Sequence, residues 1–278
     1  MKLGIMQGRL VAPEAQRFQS FPRQRWRDEF ALAADVGLDT MEWIYDAYGE
    51  DVNPLVTDAG VREVERLSTL HHIAIESVCA DWFMDFPLVG VDAETAQSRW
   101  QRLEWLMNRC SLLRINRVVV PFVDASAIRT AQDAASIAAG INSLARSIDA
   151  TGVELHLETA LAPAEFAALL GRLQHPGVKV NYDSGNSASL GYRPAEEFAA
   201  YGLRVGSVHL KDRKYGAGTV PLGEGDTDFG GLFDALAAVR YQGDFILQVA
   251  RGADGEELDW ARHNSRTARQ MMQRLDRT

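Results

Sequence analysis

The sequence predicts an α/β fold, a parallel eight-stranded (β/α)8 TIM barrel built as one domain over residues 1–278. Three observations carry this. Short β-rich runs alternate with longer stretches of helical periodicity, the pattern of βα units around a parallel sheet. There are eight such runs in roughly 250 residues, which is what a closed barrel requires, whereas a doubly wound open sheet uses fewer strands. No glycine-rich nucleotide turn follows the first run, and no Pro/Ser-rich linker, charge block or low-complexity tract marks a boundary between domains.

The runs are, in order, KLGIMQ, TMEWIY, IAIESVCA, NRVVVPF, GVELHLE, VKVNYD, RVGSVHL and GDFILQV. Their apolar, β-branched and aromatic character suits strands covered on both faces. Segments such as WRDEFALAADVG and AASIAAGINSLARSIDATG lie between them and carry apolar residues at helical spacing. Gly37, Gly152, Gly202 and Gly243 fall shortly before the next strand, where a left-handed residue closes a helix. Irregular length collects at residues 8–22, 44–57 and 211–228. All three connections leave the carboxyl ends of strands, the end of a barrel where active sites are built. The closing stretch EELDWARHNSRTARQMMQRLDRT reads as the last barrel helix, with Leu258, Met271, Met272 and Leu275 as packing residues.

Composition narrows the function. Apolar residues make up 46% of the chain, ample for a sizeable core. The net charge of -9, from 29 basic and 38 acidic residues, works against wrapping a phosphate backbone, so no nucleic-acid partner is expected. Cys79 and Cys110 stand in no metal or redox spacing and read as small core residues. The opening MKLGIMQGRL is interrupted by Gln7 and Arg9, and no window approaches the ~20 apolar residues that span a bilayer. No membrane contact is expected, and a reducing, cytoplasmic location follows.

The informative residues are polar ones at the carboxyl ends of apolar strands, which a barrel directs to a common mouth. Glu158 ends the fifth strand, Asp183 the sixth, His209 lies near the end of the seventh and Gln248 takes the same place on the eighth. Taken singly, Asp183 is a turn-former before Ser184 and Gly185, His209 a hydrogen-bonded core residue, and Gln248 a polar side chain on the pleat. Taken together, two carboxylates, an imidazole and an amide oxygen suit a divalent metal ion, Mn2+, Mg2+, Co2+ or Zn2+, with positions open for substrate oxygens. His156 shares a face with Glu158 but lies deeper, either orienting a ligand or satisfied within the core. Lys211, two residues after His209, is a candidate acid or second base, or else a solvated loop lysine.

Further substrate contacts are expected from Gln7 and Arg9 after the first strand, Glu42 and Trp43 on the second, and Asp81 with Trp82 after the third. Rim salt bridges and barrel-mouth packing are the alternative. Arg17, Arg23, Arg25 and Arg27 make the first connection locally basic. The stretch YGAGTVPLGEGDTDFGG lacks the Gly-Lys-Ser/Thr of a nucleoside-triphosphate loop and reads as a mobile cover, with Arg213 and Glu224 facing substrate.

On LHLETA with Glu158, NYDSGN with Asp183, SVHLKDR with His209 and VPLGEGDTDF with Glu224, the chain resembles the xylose isomerase-like, metal-dependent barrels over nearly its whole length. That group includes sugar and sugar-phosphate isomerases and epimerases, inosose dehydratase and the endonuclease IV proteins. The resemblance implies a metal held by the last four strands, a small-molecule sugar or sugar-phosphate substrate, and Asn186 beside it. It also exposes departures. Sugar epimerases of the group carry Glu where this chain has Gln248, His where it has Asn186, and an acid where it has Ala164.

An amide binds metal through oxygen but accepts no proton near neutral pH. The resemblance therefore implies isomerase or epimerase chemistry through an enediolate with Glu158 as base, and one-base chemistry above all. Three alternatives stand beside it: an inosose dehydratase-like lyase, an abasic-site endonuclease or phosphodiesterase, and a sugar-binding protein that has lost catalysis. The endonuclease needs more His and acidic ligands than the six histidines and available carboxylates supply. Oligomeric state is not legible, although the exposed end of a barrel commonly finds a partner and a homo-oligomer is compatible with that.

Overall fold

The structure is a computed structural model and describes residues 1–275. All eight runs form barrel strands: β1 (Leu3–Met6), β2 (Thr40–Ile44), β3 (Ala74–Cys79), β4 (Arg117–Phe122), β5 (Glu154–Thr159), β6 (Val178–Asp183), β7 (Val205–Leu210) and, after a small hairpin of β8 (Asp212–Arg213) and β9 (Thr219–Val220), β10 (Phe245–Leu247). The sheet closes in the order β1-β10-β7-β6-β5-β4-β3-β2, every neighbour parallel. The predicted parallel eight-stranded TIM barrel is thus the fold. No helix among the described residues is long and apolar enough to cross a membrane.

Strand periodicity decides which side chains reach the barrel axis. On β2, Trp43 turns outward and packs against Phe21, Trp26 and Phe30, with ring centroids 5.6, 5.7 and 6.2 Å away, and its indole donates to Asn53 Oδ1 at 3.1 Å. Trp43 is therefore core rather than a mouth residue; complete burial of a side chain of this size contributes roughly 3 kcal/mol. Glu42, one residue earlier, turns inward. The β2–β3 register shifts between Met41 and Glu42, and the β6–β7 register between Val180 and Asn181. The shifts fall at Glu42 and Asn181, two buried polar residues that contact His209, a common place for a bulge.

Two of the four expected helix-closing glycines adopt the left-handed conformation, Gly37 (φ 77°) and Gly152 (φ 67°). Gly202 does not, with φ -54°, and Gly243 is not among the residues of positive φ. Space is the reason for these two. A Cβ on Gly202 would come within 2.9 Å of Phe198, and one on Gly243 would meet the Tyr241 hydroxyl and lie 2.8 Å from Gly206 O. Arg240, with φ 53°, takes the left-handed position instead.

The long connection after β7 is fastened at its base. Asp212 is buried, and its carboxylate accepts the backbone N–H groups of Gly223, Gly225 and Thr227 at 2.8, 3.0 and 3.1 Å. With the β8–β9 pairing, this leaves the exposed stretch 214–218 as the tip. The C-terminal helix spans Glu257–Met272; Met272 is buried, and Leu258, Met271 and Leu275 pack on the core as expected.

Candidate active site

A cavity of about 590 Å³ opens at the carboxyl end of the strands. Glu158, Asn186, Lys211, Arg213, Gln248 and Asp81 all line it. The strand ends thus bring these six sequence-predicted residues to one place.

Asp183 is the last residue of β6, and its Oδ1 accepts the Asn186 N–H at 2.8 Å, capping the helix Ser184–Leu190. The SGN that follows Asp183 is therefore a tight strand-to-helix turn that holds the carboxylate at the mouth. Its Oδ2 lies 3.4 Å from Lys211 Nζ. The helix is tied down in turn by the buried Glu197 carboxylate, which accepts Ser187 Oγ at 2.7 Å and the hydroxyls of Tyr182 and Tyr201 at 2.8 Å each. That tether fixes Asn186, whose Nδ2 donates to Glu158 Oε1 at 2.7 Å while its Oδ1 accepts from Arg213 Nη1 at 2.9 Å.

Glu158, Asp183 and His209, all buried, offer ligand atoms within 4.8 Å of one another. His209 Nε2 lies 2.7 Å from Glu42 Oε1, while its Nδ1 lies 3.4 Å from Glu158 Oε2. Burial alone would suppress the charge on His209, but the Glu42 and Glu158 carboxylates outweigh it and raise its pKa to about 10. For Glu42 burial acts upward, yet the His209 cation beside it holds the carboxyl below its ordinary value.

The donor set fits a divalent ion. Glu42, Glu158 and Asp183 leave an excess of negative charge over Lys211 once His209 gives up its proton, and carboxylate behind imidazole is the usual backing of a metal-bound histidine. Asp183, Glu158 and the His209 nitrogen turned away from Glu42 would hold it, with Gln248 Oε1 alongside.

Several expected substrate contacts sit elsewhere. Glu42 is fully buried and faces His209 across the barrel axis. Gln7 is buried as well and its Oε1 accepts the Ile44 N–H at 3.0 Å, linking β1 to β2. Arg9 donates to Val249 O at 3.1 Å, Phe18 O at 2.8 Å and Gln19 Oε1 at 3.0 Å, so it braces the first connection; burial, then the charge of Arg251, lowers its pKa to about 9. His156 contacts Ser207 at 2.7 Å and Glu154 at 3.0 Å, below the mouth, as a satisfied core histidine. Glu224 is exposed on its loop and outside the cavity lining. Arg23, Arg25 and Arg27 are ion-paired with Asp51, Asp28 and Glu63, whereas Arg17 lines the cavity and stacks over Tyr48. Asp81 does reach the cavity; burial raises its carboxyl to about 6 against hydrogen bonds from Gln19 and Cys79.

Two site residues escaped the sequence reading. Asn181 donates to Glu158 Oε2 at 2.9 Å and approaches His209 Nδ1 at 3.0 Å. It lies two residues before Asp183, on the same face of β6, so the period of the strand was the available signal. Gln19 spans from Asp81 to Gln248, but an irregular loop gives no periodic cue to find it.

A closed barrel whose mouth carries buried Glu, Asp and His within reach of one ion defines a class: barrels with a potential metal centre at the carboxyl ends of β5 to β7. The particular family follows from comparison. Residues 30–275 match the family model described as xylose isomerase-like TIM barrel, and the chain belongs to that family. A protein of Escherichia coli (strain K12) provisionally named L-ribulose-5-phosphate 3-epimerase SgbU is 23% identical over 239 residues, covering 81% of this chain and 83% of that protein. Among solved structures, D-psicose 3-epimerase of Clostridium cellulolyticum H10 with D-tagatose superposes with a TM-score of 0.76 at 17% identity, over 98% of this chain and 99% of the other. The IOLI protein with a bound zinc atom gives a TM-score of 0.76 at 16% identity, over 100% and 99%. At these identities the likeness is one of fold.

Proposed function

We propose that this protein is a divalent-metal-dependent enzyme that moves a proton on the carbon next to a carbonyl of a sugar or sugar phosphate, as an isomerase or epimerase. The observation that carries it is the approach of Glu158, Asp183 and His209 ligand atoms to within 4.8 Å of one another, with Glu158 on the lining of the cavity. A sugar epimerase and a zinc-bound protein among the similar structures support the same chemistry. When bound, the ion would supply an electrophile that polarises the carbonyl and offsets the charge of the enediolate.

The chain's own groups supply the proton transfers. Glu158 is the base: both of its oxygens are held by amides, Asn181 on one and Asn186 on the other, so the carboxylate is fixed in direction without losing its lone pairs. Lys211 Nζ, within 3.1 Å of Gln248 Oε1 and 3.4 Å of Asp183 Oδ2, is the neighbouring acid that returns a proton to oxygen or to carbon. Gln248 and Asn186 accept no proton, which favours aldose–ketose isomerisation or β-elimination over two-base inversion. Arg213 and Asp81, both on the cavity lining, are the substrate contacts.

The test is exchange of a carbon-bound proton with D2O across a panel of sugars and sugar phosphates with Mn2+, Mg2+, Co2+ or Zn2+ present. Exchange is the expected result, and whether the centre also inverts separates an epimerase from an isomerase. A panel with no exchange would replace the enzyme with a metal-holding sugar-binding protein.

A further inference from the structure

The orientation of a side-chain amide is set by what surrounds it, because its oxygen only accepts and its nitrogen only donates. At Gln248 the surroundings leave one solution. Gln19, on the connection after β1, lies against the Arg9 guanidinium, which has donors alone: Arg9 Nη2 donates to Gln19 Oε1 at 3.0 Å. The other end of Gln19 meets the Asp81 carboxylate, with Nε2 donating to Oδ2 at 2.7 Å. Gln19 therefore turns its oxygen toward Gln248, which donates Nε2 to it at 3.1 Å. The Gln248 oxygen is then left for the cavity, where the Lys211 ammonium, again donor-only, lies 3.1 Å away.

From Arg9 through Gln19 to Gln248, every donor meets an acceptor in this one arrangement. Turning either amide over would set oxygen against oxygen or nitrogen against nitrogen.

We infer that Gln19 is a positioning residue that presents the Gln248 carbonyl oxygen to the metal-binding cluster. It also ties the first connection to the ends of β3 and β10, so the identity of the residue at 248 is set by a loop residue far away in sequence. A carboxylate at 248 would face the Gln19 oxygen, which Arg9 and Asp81 hold in place. The arrangement thus selects an amide at this position, in keeping with one-base chemistry. This inference rests on the proposed reading in which Gln248 contributes to the metal site.

A double-mutant cycle on metal-free full-length protein tests it, with Co2+ binding followed by titration calorimetry and by the visible absorption of the bound ion. Gln19→Leu is expected to weaken Co2+ binding roughly 10- to 100-fold and to alter the absorption bands. In a Gln248→Ala background the same substitution should change affinity by less than about twofold, since its route of action is gone. Gln19→Met repeats the measurement with a different apolar side chain of similar length, should the leucine variant fold poorly. Equal losses in both backgrounds, or an unchanged affinity in Gln19→Leu, overturn the inference while leaving the metal site intact. Absence of Co2+ binding by the unsubstituted protein overturns both the inference and the reading beneath it.

Discussion

Two histidines in adjacent layers of the barrel are almost equally hidden, His209 fully and His156 at 1% exposure, yet they are driven in opposite directions. His209 is raised to about 10 and His156 lowered to about 4. Burial opposes the charged form of both, so it does not separate them. Their neighbours do. His209 has the carboxylates of Glu42 and Glu158 on either side, while the one carboxylate beside His156, Glu154, is shared with Lys179 and countered by the nearby charge of Arg117. One layer concentrates negative charge around an imidazole, as a cation site needs; the other neutralises itself and serves as the floor.

Removing the upper imidazole should have the largest effect. His209→Ala leaves Glu42 buried without its partner, a loss of roughly 3–5 kcal/mol by the usual cost of a stranded charge, and it should abolish retention of metal; urea denaturation and elemental analysis of the purified variant check the two parts. Asp183→Ala should lose metal in the same assay. Next comes Glu158→Gln, which keeps an oxygen for the ion but takes away the base: metal stays, and turnover falls roughly 10²- to 10⁴-fold. Unchanged turnover would remove Glu158 from that role.

The pH dependence of stability in the metal-free protein sharpens the comparison further. For His209 the folded pKa stands above the unfolded 6.5, so its stabilisation is complete below 6.5 and is lost as pH rises toward about 10. For His156 the folded pKa lies below 6.5, so the unfolded chain binds the extra proton first and stability is lost as pH falls from 6.5 toward about 4. The limbs are on the order of 5 kcal/mol for His209 and on the order of 3 kcal/mol for His156. Denaturation midpoints measured across pH should flatten on the acid side in His156→Gln and on the alkaline side in His209→Gln. The smallest effect is expected from Glu42→Gln, which keeps a hydrogen-bond acceptor for the imidazole but weakens metal binding roughly 10- to 100-fold, read by calorimetric titration.

The barrel was legible because its evidence is repeated: eight apolar runs constrain one another, and an error in one leaves the closure intact. The site was legible where a side chain's position along its strand is enough, as for Glu158, Asp183 and His209. It was less so where direction matters. Glu42 stands near the end of β2, as a cavity residue would, but the strand turns it toward the axis and His209 claims it. Gln7 likewise turns its Oε1 to β2, and Arg9 spends its donors on the first connection and on Val249 O. Asn181 needed the strand period applied one step further back, and Gln19 needed the loop path, which no local pattern encodes. Gly202 caps its helix without the left-handed angle and Gly243 is not left-handed either, because sequence alone does not distinguish a residue chosen for its backbone angle from one chosen for its small size.

The Asp212 staple offers an engineering opportunity. Because a single carboxylate gathers three backbone N–H groups at the root of the long connection, residues 214–218 form a replaceable nozzle on a rigid mount. Swapping or lengthening that nozzle should alter which molecules gain entry while leaving the chemistry below untouched, making it the natural place to retarget the enzyme.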